Sequence, residues 1–127
     1  ESKSPTLELL MGRVGNAMGQ QKFGEALELL HSVVAIAPNY AEGWNKRATV
    51  YFLLGQYEDS VADVERTLDL EPRHFGALSG LGLIYMRLRK EAAALDAFER
   101  ALIVNPHLGQ AKAAVKRLRP AVKGKNI

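Results

Sequence analysis

Three prolines recur along the chain at a constant spacing of 34 residues. Pro38, Pro72 and Pro106 stand in similar settings, within AIAPNY, DLEPRH and IVNPHL. A fixed period of this length is typical of a solenoid built from one repeated supersecondary unit. The spacing therefore sets a frame for the whole chain. The frame consists of three repeats and a shorter final segment, at residues 7–40, 41–74, 75–108 and 109–119.

Each repeat contains two blocks in which apolar residues recur at intervals of three and four. In the second repeat the first block holds Trp44, Ala48 and Tyr51, and the second holds Val61 and Val64. This spacing puts the apolar residues on one face of a helix, so it predicts two helices per repeat and an all-α fold. A proline after the second helix helps to end it. The predicted helices are 7–20, 24–36, 41–54, 58–70, 75–88, 92–104 and 109–119.

Large and small residues recur at matching positions in the repeats. The second repeat carries Trp44, Ala48, Tyr51, Gly55, Tyr57 and Pro72, the third adds Leu81, Gly82, Tyr85, Ala94, Phe98 and Ala101, and the first keeps Leu10, Phe23, Ala26 and Pro38. This pattern resembles the tetratricopeptide repeat (TPR) family. The stretches YAEGWNKRATVYFLLGQY and EPRHFGALSGLGLIY are similar to small bacterial TPR proteins. The resemblance implies a right-handed α-solenoid of three helix-turn-helix repeats plus a C-terminal capping helix. At 127 residues the chain is about one domain long, so we expect a single domain over residues 1–127. The segment 109–119 is expected to cap the last repeat, Pro120 to end this helix, and residues 120–127 to form a flexible tail.

Small residues inside the predicted helices indicate close packing. Glycine in a helix interior is about 1 kcal/mol less favourable than alanine, so we expect Gly82 to let its helix approach a partner closely. In the turns between paired helices, where the family usually has glycine, the chain has Gln21, Gly55 and Arg89. Positive φ is disfavoured for residues other than glycine. The first and third turns are therefore either mildly strained or shaped differently.

The charge of +3 is unevenly distributed. Residues after position 108 include six basic groups and no acid, while the rest of the chain has 11 basic and 14 acidic groups. The basic pI thus describes the final segment, and we do not expect a nucleic-acid surface on the body of the domain. Contact of this segment with an anionic membrane or nucleic acid is an alternative function. The six residues are Lys112, Lys116, Arg117, Arg119, Lys123 and Lys125.

No residue set in the sequence points to catalysis. The chain has no cysteine, and a solvated or capping role is expected for His31, His74 and His107. The run GALSGLGLIY lacks the Gly-Lys-Ser/Thr ending of a phosphate loop, and the acids between 58 and 65 are interpreted as a solvent-facing helix surface. No apolar run is long enough to span a bilayer. We expect no enzymatic activity, no metal, no cofactor and no integral membrane segment; bacterial cytoplasm and envelope both remain open.

The resemblance implies that the first helix of each repeat lines a concave groove, which binds a peptide or helix of a partner protein. All three methionines fall on this groove, and thioether side chains adapt to partners of differing shape. The alternative is that they fill gaps between helices or contact a preceding segment. The predicted groove, largely apolar, consists of Met11, Met18, Asn45, Thr49, Phe52, Ser79, Leu83, Met86 and Arg87.

Chaperone-binding TPR domains hold an acidic C-terminal tail with a carboxylate clamp of Lys, Asn, Asn, Lys and Arg. The matching positions here carry Met11, Gly15, Lys46, Gly76 and Gly80, so a chaperone tail is not the expected partner. A further alternative is self-association through an uncapped end near Leu7, Leu9 and Leu10. The sequence predicts a protein-interaction scaffold without naming its partner.

Overall fold

The computed structural model of the chain describes residues 4–125, except for the side chain of Lys125. These residues form seven α-helices and no strand, which confirms the predicted all-α fold. Every predicted boundary agrees to within two residues except the end of the last helix. The helices are α1 (Pro5–Gly19), α2 (Phe23–Ile36), α3 (Ala41–Leu53), α4 (Tyr57–Leu70), α5 (Phe75–Arg87), α6 (Glu91–Val104) and α7 (Gly109–Lys125).

The helices belong to two compact units that divide between Glu71 and Pro72. In the first unit α1 packs on α2, α2 on α3, and α3 on α4. In the second unit α5 packs on α6, and α6 on α7. Short turns join α1 to α2, α3 to α4 and α5 to α6, which makes each repeat a helical hairpin. The assignment of the whole chain to a single domain stays a prediction.

The three hairpin turns share one backbone shape. Gln21, Gly55 and Arg89 have φ of 59°, 78° and 61°, all in the left-handed region. In each turn the next backbone N–H donates to a carbonyl five residues earlier, at 2.8 Å. The first and third turns therefore have the same shape as the second, but they are mildly strained. Gln21 and Arg89 carry side chains at a positive φ that glycine adopts without strain.

The second helix of each repeat ends two residues before its proline. The residues between, Ala37, Glu71 and Asn105, have φ of −131°, −138° and −137°. A residue that precedes proline is restricted to extended backbone because the ring clashes with the helical conformation. The prolines from which the 34-residue period was read thus also set the ends of α2, α4 and α6.

The core of the first unit is aliphatic and includes Leu7, Val14, Leu30, Val33 and Val50. Each such side chain contributes about 1.5–3 kcal/mol when it is fully buried. Leu7 is 2% exposed, so it cannot belong to an exposed apolar end. Of the leucines considered for self-association, only Leu9 is exposed, and Leu10 packs against this core.

Gly82 and Phe98 account for the close approach of α5 and α6. A Cβ placed on Gly82 would lie 2.6 Å from Cζ of Phe98 and 2.7 Å from its two Cε atoms. The Phe98 ring is itself buried among the residues that α6 and α7 contribute to the second core. The glycine therefore provides the space for a large aromatic side chain, as its position inside a helix predicted.

The prediction that the last helix ends at Arg119 is wrong, and so is the flexible tail as far as residue 125. α7 continues through Pro120 to Lys125. Proline has a φ that suits a helix, and it removes one donor, the N–H that would reach the carbonyl of Lys116. Both residues are exposed, so water can satisfy that carbonyl. Residues 126–127 of the predicted tail lie outside the described part.

Candidate functional site

In the first unit the predicted groove residues are only partly available at the surface. Met11 and Met18 are half-buried on α1 and pack against the core that contains Leu7 and Val14. This packing supports a gap-filling role for both methionines alongside any contact with a partner. Each presents part of its side chain to solvent.

The face of α3 combines polar and aromatic groups. Thr49 is exposed, and its hydroxyl donates to the backbone carbonyl of Asn45 at 3.1 Å. The half-buried Phe52 ring lies 5.6 Å from the ring of Tyr57, with an angle of 57° between the planes. Tilted aromatic pairs at this separation are favourable, so Tyr57 orients Phe52. Leu53 extends the same end of the helix and is exposed.

In the second unit three predicted groove residues line a real concavity. Ser79, Leu83 and Met86 border a pocket of about 250 Å³. Its remaining walls include the buried Phe98 of α6 and a set of residues from α7, where the sequence predicted only a cap. The α7 residues are Gln110, Ala111, Ala113, Ala114 and Arg117. Arg87, the last predicted groove residue, is exposed and does not line this pocket.

Arg117 is the charged group at the pocket. Its guanidinium Nη2 donates to Sδ of Met86 at 3.7 Å, and sulfur is a weak acceptor. Two residues further along α7, Arg119 donates to Oε2 of Glu99 at 2.6 Å. The two arginines therefore differ: one is paired with a carboxylate and the other borders an apolar pocket.

Three of the five positions that the resemblance assigns to a carboxylate clamp carry glycine. A Cβ added at Gly15 or Gly80 would meet nothing within 4 Å, and one at Gly76 would lie 3.3 Å from the His74 ring. Such glycines leave room near the backbone and supply no side-chain donor. These three positions therefore supply no side chain that could hold a carboxylate, while Met11 and Lys46 occupy the other two.

A polar cluster that was not predicted from the sequence surrounds Arg47. This side chain donates from Nε to Oδ2 of Asp63 at 2.7 Å and from Nη2 to Oδ1 at 3.0 Å. Its Nη1 lies 3.1 Å from Nδ1 of His31. The guanidinium also stacks near Trp44 and Tyr51, 5.1 Å and 5.5 Å from their ring centroids. Arg47 thus joins α2, α3 and α4.

Asp63 corrects the interpretation of the acidic surface on α4, because it is 3% exposed and does not face solvent. The hydrogen bond to this carboxylate raises the pKa of Arg47 above its usual value, despite the opposing effect of burial. Burial raises the pKa of the Tyr51 phenol. In the sequence, Arg47 stands between two large aromatic residues, Trp44 and Tyr51. This pattern could have identified the cluster.

Two of the three histidine side chains take structural roles. His31 contacts Arg47, and Nδ1 of His74 accepts a hydrogen bond from the backbone N–H of Ala77 at 2.9 Å, which caps α5. Among residues 4–125, no group of three or more histidine, cysteine, aspartate or glutamate side chains could hold a metal. Within the same residues no helix has the length and hydropathy that a membrane span requires.

The helical hairpins repeat every 34 residues, and small residues lie where the helices approach one another. These features define an α-helical repeat protein. The tetratricopeptide repeat family model matches residues 15–62 and 45–107. A TPR repeat-containing protein of Rhizobium etli is 42% identical over 106 residues, which cover 84% of this chain and 52% of that protein. The chain belongs to the tetratricopeptide repeat family.

A further relative and a solved TPR domain also match most of the chain. The SGT1 homolog of Bos taurus is 32% identical over 109 residues, which are 86% of this chain and 32% of that protein. The chain thus spans about half or less of these curated relatives. The solved first TPR of Spaghetti (RPAP3), bound to the HSP90 peptide SRMEEVD, has a TM-score of 0.88 at 21% identity. That match covers 92% of this chain and 93% of the solved one.

Proposed function

We propose that this chain is a non-enzymatic interaction domain that binds a peptide or helix of a partner protein on the first helices of its repeats. The observation that carries the proposal is the pocket on α5, because Ser79, Leu83 and Met86 were predicted as groove residues and border a concavity. Binding energy in protein interfaces concentrates where apolar anchors enter such pockets. The α3 face with Asn45, Thr49 and Phe52 offers a second contact surface.

Exposed apolar side chains on these helices support the proposal. Leu83 is 45% exposed at the mouth of the pocket, and Leu53 is 49% exposed on α3. Neither is needed to fill the core of its own unit, so a partner can cover both without unfolding the domain. Met86 is flexible and can adjust the shape of the pocket floor to different side chains.

The proposed partner is not an acidic chaperone tail held by a clamp. The solved first TPR of Spaghetti (RPAP3) holds the peptide SRMEEVD, whereas the clamp positions here include Met11, Gly76 and Gly80. Titration of a labelled SRMEEVD peptide, followed by fluorescence anisotropy, tests this part. Saturable binding that survives alanine substitution at Lys46 would show that another set of residues replaces the clamp.

The test of the proposed function is affinity capture from a bacterial lysate followed by mass spectrometry, repeated with Phe52→Glu combined with Met86→Glu. We expect the double variant to lose the partners that the wild-type chain retains, with an unchanged far-UV circular dichroism spectrum. Equal capture by a folded double variant would rule out binding on these helices.

A second candidate function rests on the length of α7. Because the helix continues to Lys125, four basic residues spaced by four, three and four lie on one of its faces. They are Lys112, Lys116, Arg119 and Lys123. Such a stripe attracts anionic lipid or nucleic acid through charge. Neutralising Lys112 and Lys116 should then abolish salt-sensitive binding to these surfaces, and binding that does not respond to salt would exclude this function.

A further inference from the structure

The geometry points to a specific occupant for the pocket between α5 and α7: a partner segment with one large apolar side chain flanked by acidic side chains. This inference rests on the proposed function and goes beyond it by naming the chemistry of the partner. The apolar side chain enters between Leu83, Met86 and Phe98, and a neighbouring carboxylate pairs with Arg117.

The size of the pocket favours a side chain over a small-molecule cofactor. Pockets for small molecules usually have volumes of about 300–1,000 Å³ and enclose most of their ligand. This pocket has about 250 Å³. Its apolar walls include a thioether and an aromatic ring, and sulfur makes favourable contacts with aromatic groups. One aromatic or large aliphatic side chain therefore fits it.

The charge around the pocket favours an acidic segment. No acidic residue is present among the described residues that line it, and the sequences of α5 and α7 contain none. α7 also carries Lys112 and Lys116, which do not line the pocket but add basic charge to the same helix as Arg117. A run of carboxylates matches this spread of charge better than one terminal carboxylate does.

Arg117 is positioned to bind an acidic side chain of the partner segment. It is exposed, and within residues 4–125 the polar partner of its guanidinium is Sδ of Met86, a weak acceptor. A guanidinium has five donors and pairs with carboxylates through two parallel hydrogen bonds. Arg117 can therefore gain a carboxylate without losing an internal ion pair, whereas Arg119 already holds Glu99.

The test uses a blocked peptide, acetyl-EEEFEEE-amide, titrated into the isotope-labelled chain and followed by the amide resonances of Ser79, Leu83 and Ala113. Two matched peptides replace the central Phe by Ala or all Glu by Gln. Two matched variants, Arg117→Gln and Arg119→Gln, remove the same charge at positions two residues apart.

We expect the acidic Phe peptide to bind, and Arg117→Gln to weaken it about fivefold or more, as for a lost charge-assisted hydrogen bond. Arg119→Gln should change the affinity by less than about twofold, since an exposed charge outside the pocket contributes little. The Ala and Gln peptides should both bind more weakly.

Equal weakening by the two arginine variants would overturn the inference, because it would show diffuse attraction to a basic helix. So would the absence of any resonance shift at the pocket. If either occurs while Phe52→Glu with Met86→Glu still abolishes partner capture, the proposed function stands and only the partner chemistry is wrong. If partner capture is also unchanged, both fail.

Discussion

Arg47 and Asp63 form a bidentate ion pair between α3 and α4, with distances of 2.7 Å and 3.0 Å. Because the carboxylate is buried and the guanidinium is mostly covered, removal of either partner leaves a charge with poor solvation. We expect Arg47→Met to destabilise the chain by about 2–3 kcal/mol, below the range for fully buried pairs because Arg47 retains some exposure.

Urea unfolding followed by circular dichroism measures this effect. The double variant Arg47→Met with Asp63→Leu should recover much of the lost stability, since no unpaired charge remains. Additive losses in the double variant would mean that the two side chains contribute independently, which would contradict the pairing as the source of stability.

The positive φ of Gln21 and Arg89 in the hairpin turns predicts that glycine at either position stabilises the chain. Gln21→Gly and Arg89→Gly should each raise the free energy of unfolding by up to about 1 kcal/mol, because glycine adopts positive φ without steric cost. The added entropy of the unfolded chain reduces this gain. Gly55→Ala is the matched reverse change and should destabilise. Thermal denaturation measures all three, and a loss of stability in both glycine variants would refute turn strain.

Two glycines on α5 should respond oppositely to alanine. Gly82→Ala places a methyl group against the Phe98 ring, so we expect a loss of about 1–3 kcal/mol from overpacking. Gly80→Ala meets no atom within 4 Å and should gain up to about 1 kcal/mol from helix propensity. Urea unfolding of both variants checks this contrast. Equal effects at the two positions would show that the Phe98 contact does not decide the outcome.

The raised pKa values of two tyrosines predict that the free energy of unfolding decreases at alkaline pH. Burial raises the pKa of Tyr51, and burial with the charge of Glu42 raises that of Tyr40. The unfolded phenols ionise near their reference value of 10.0 while the folded ones stay neutral. Stability from these groups is therefore complete below this pH and falls as pH rises above it. Replacing both residues by phenylalanine should flatten the fall in urea-derived stability between about pH 9 and about pH 11. An unchanged slope would contradict the assignment.

The period of Pro38, Pro72 and Pro106, combined with apolar residues at intervals of three and four, predicted nearly every helix boundary. Each proline acts locally on the residue before it and so determines the end of α2, α4 or α6. Gly82 likewise predicted the close approach of its helix to a partner. Glycine is unfavourable inside a helix, so we expect it there where close packing leaves no room for a side chain.

The aromatic residues around Arg47 could have marked this residue, but its partner Asp63 was not predictable. The two residues are 16 positions apart, and α4 contains several other acids that could have paired with Arg47. The predicted helix end before Pro120 was wrong because, on an exposed helix face, the loss of one backbone donor does not end the helix.

The lining of the pocket on α5 was predicted only in part, and the groove itself stays a prediction. Ser79, Leu83 and Met86 follow from the repeat frame, and the structure places all three at one pocket. Gln110, Ala113 and Arg117 were assigned to a solvated cap, because helix periodicity separates buried from exposed residues and does not reveal a concavity between two helices. The role of the α1 methionines remains a prediction.

The most direct measurement compares Leu83→Glu with Ile103→Glu in binding to a captured partner, by isothermal titration calorimetry. Both change an exposed apolar residue to glutamate, but Leu83 borders the pocket on α5, while Ile103 lies on α6, is 77% exposed and lines no part of it. The account predicts that Leu83→Glu weakens binding about tenfold or more, as for an interface anchor, and that Ile103→Glu leaves it unchanged. Equal affinity of both variants and the wild-type chain would contradict binding at this face.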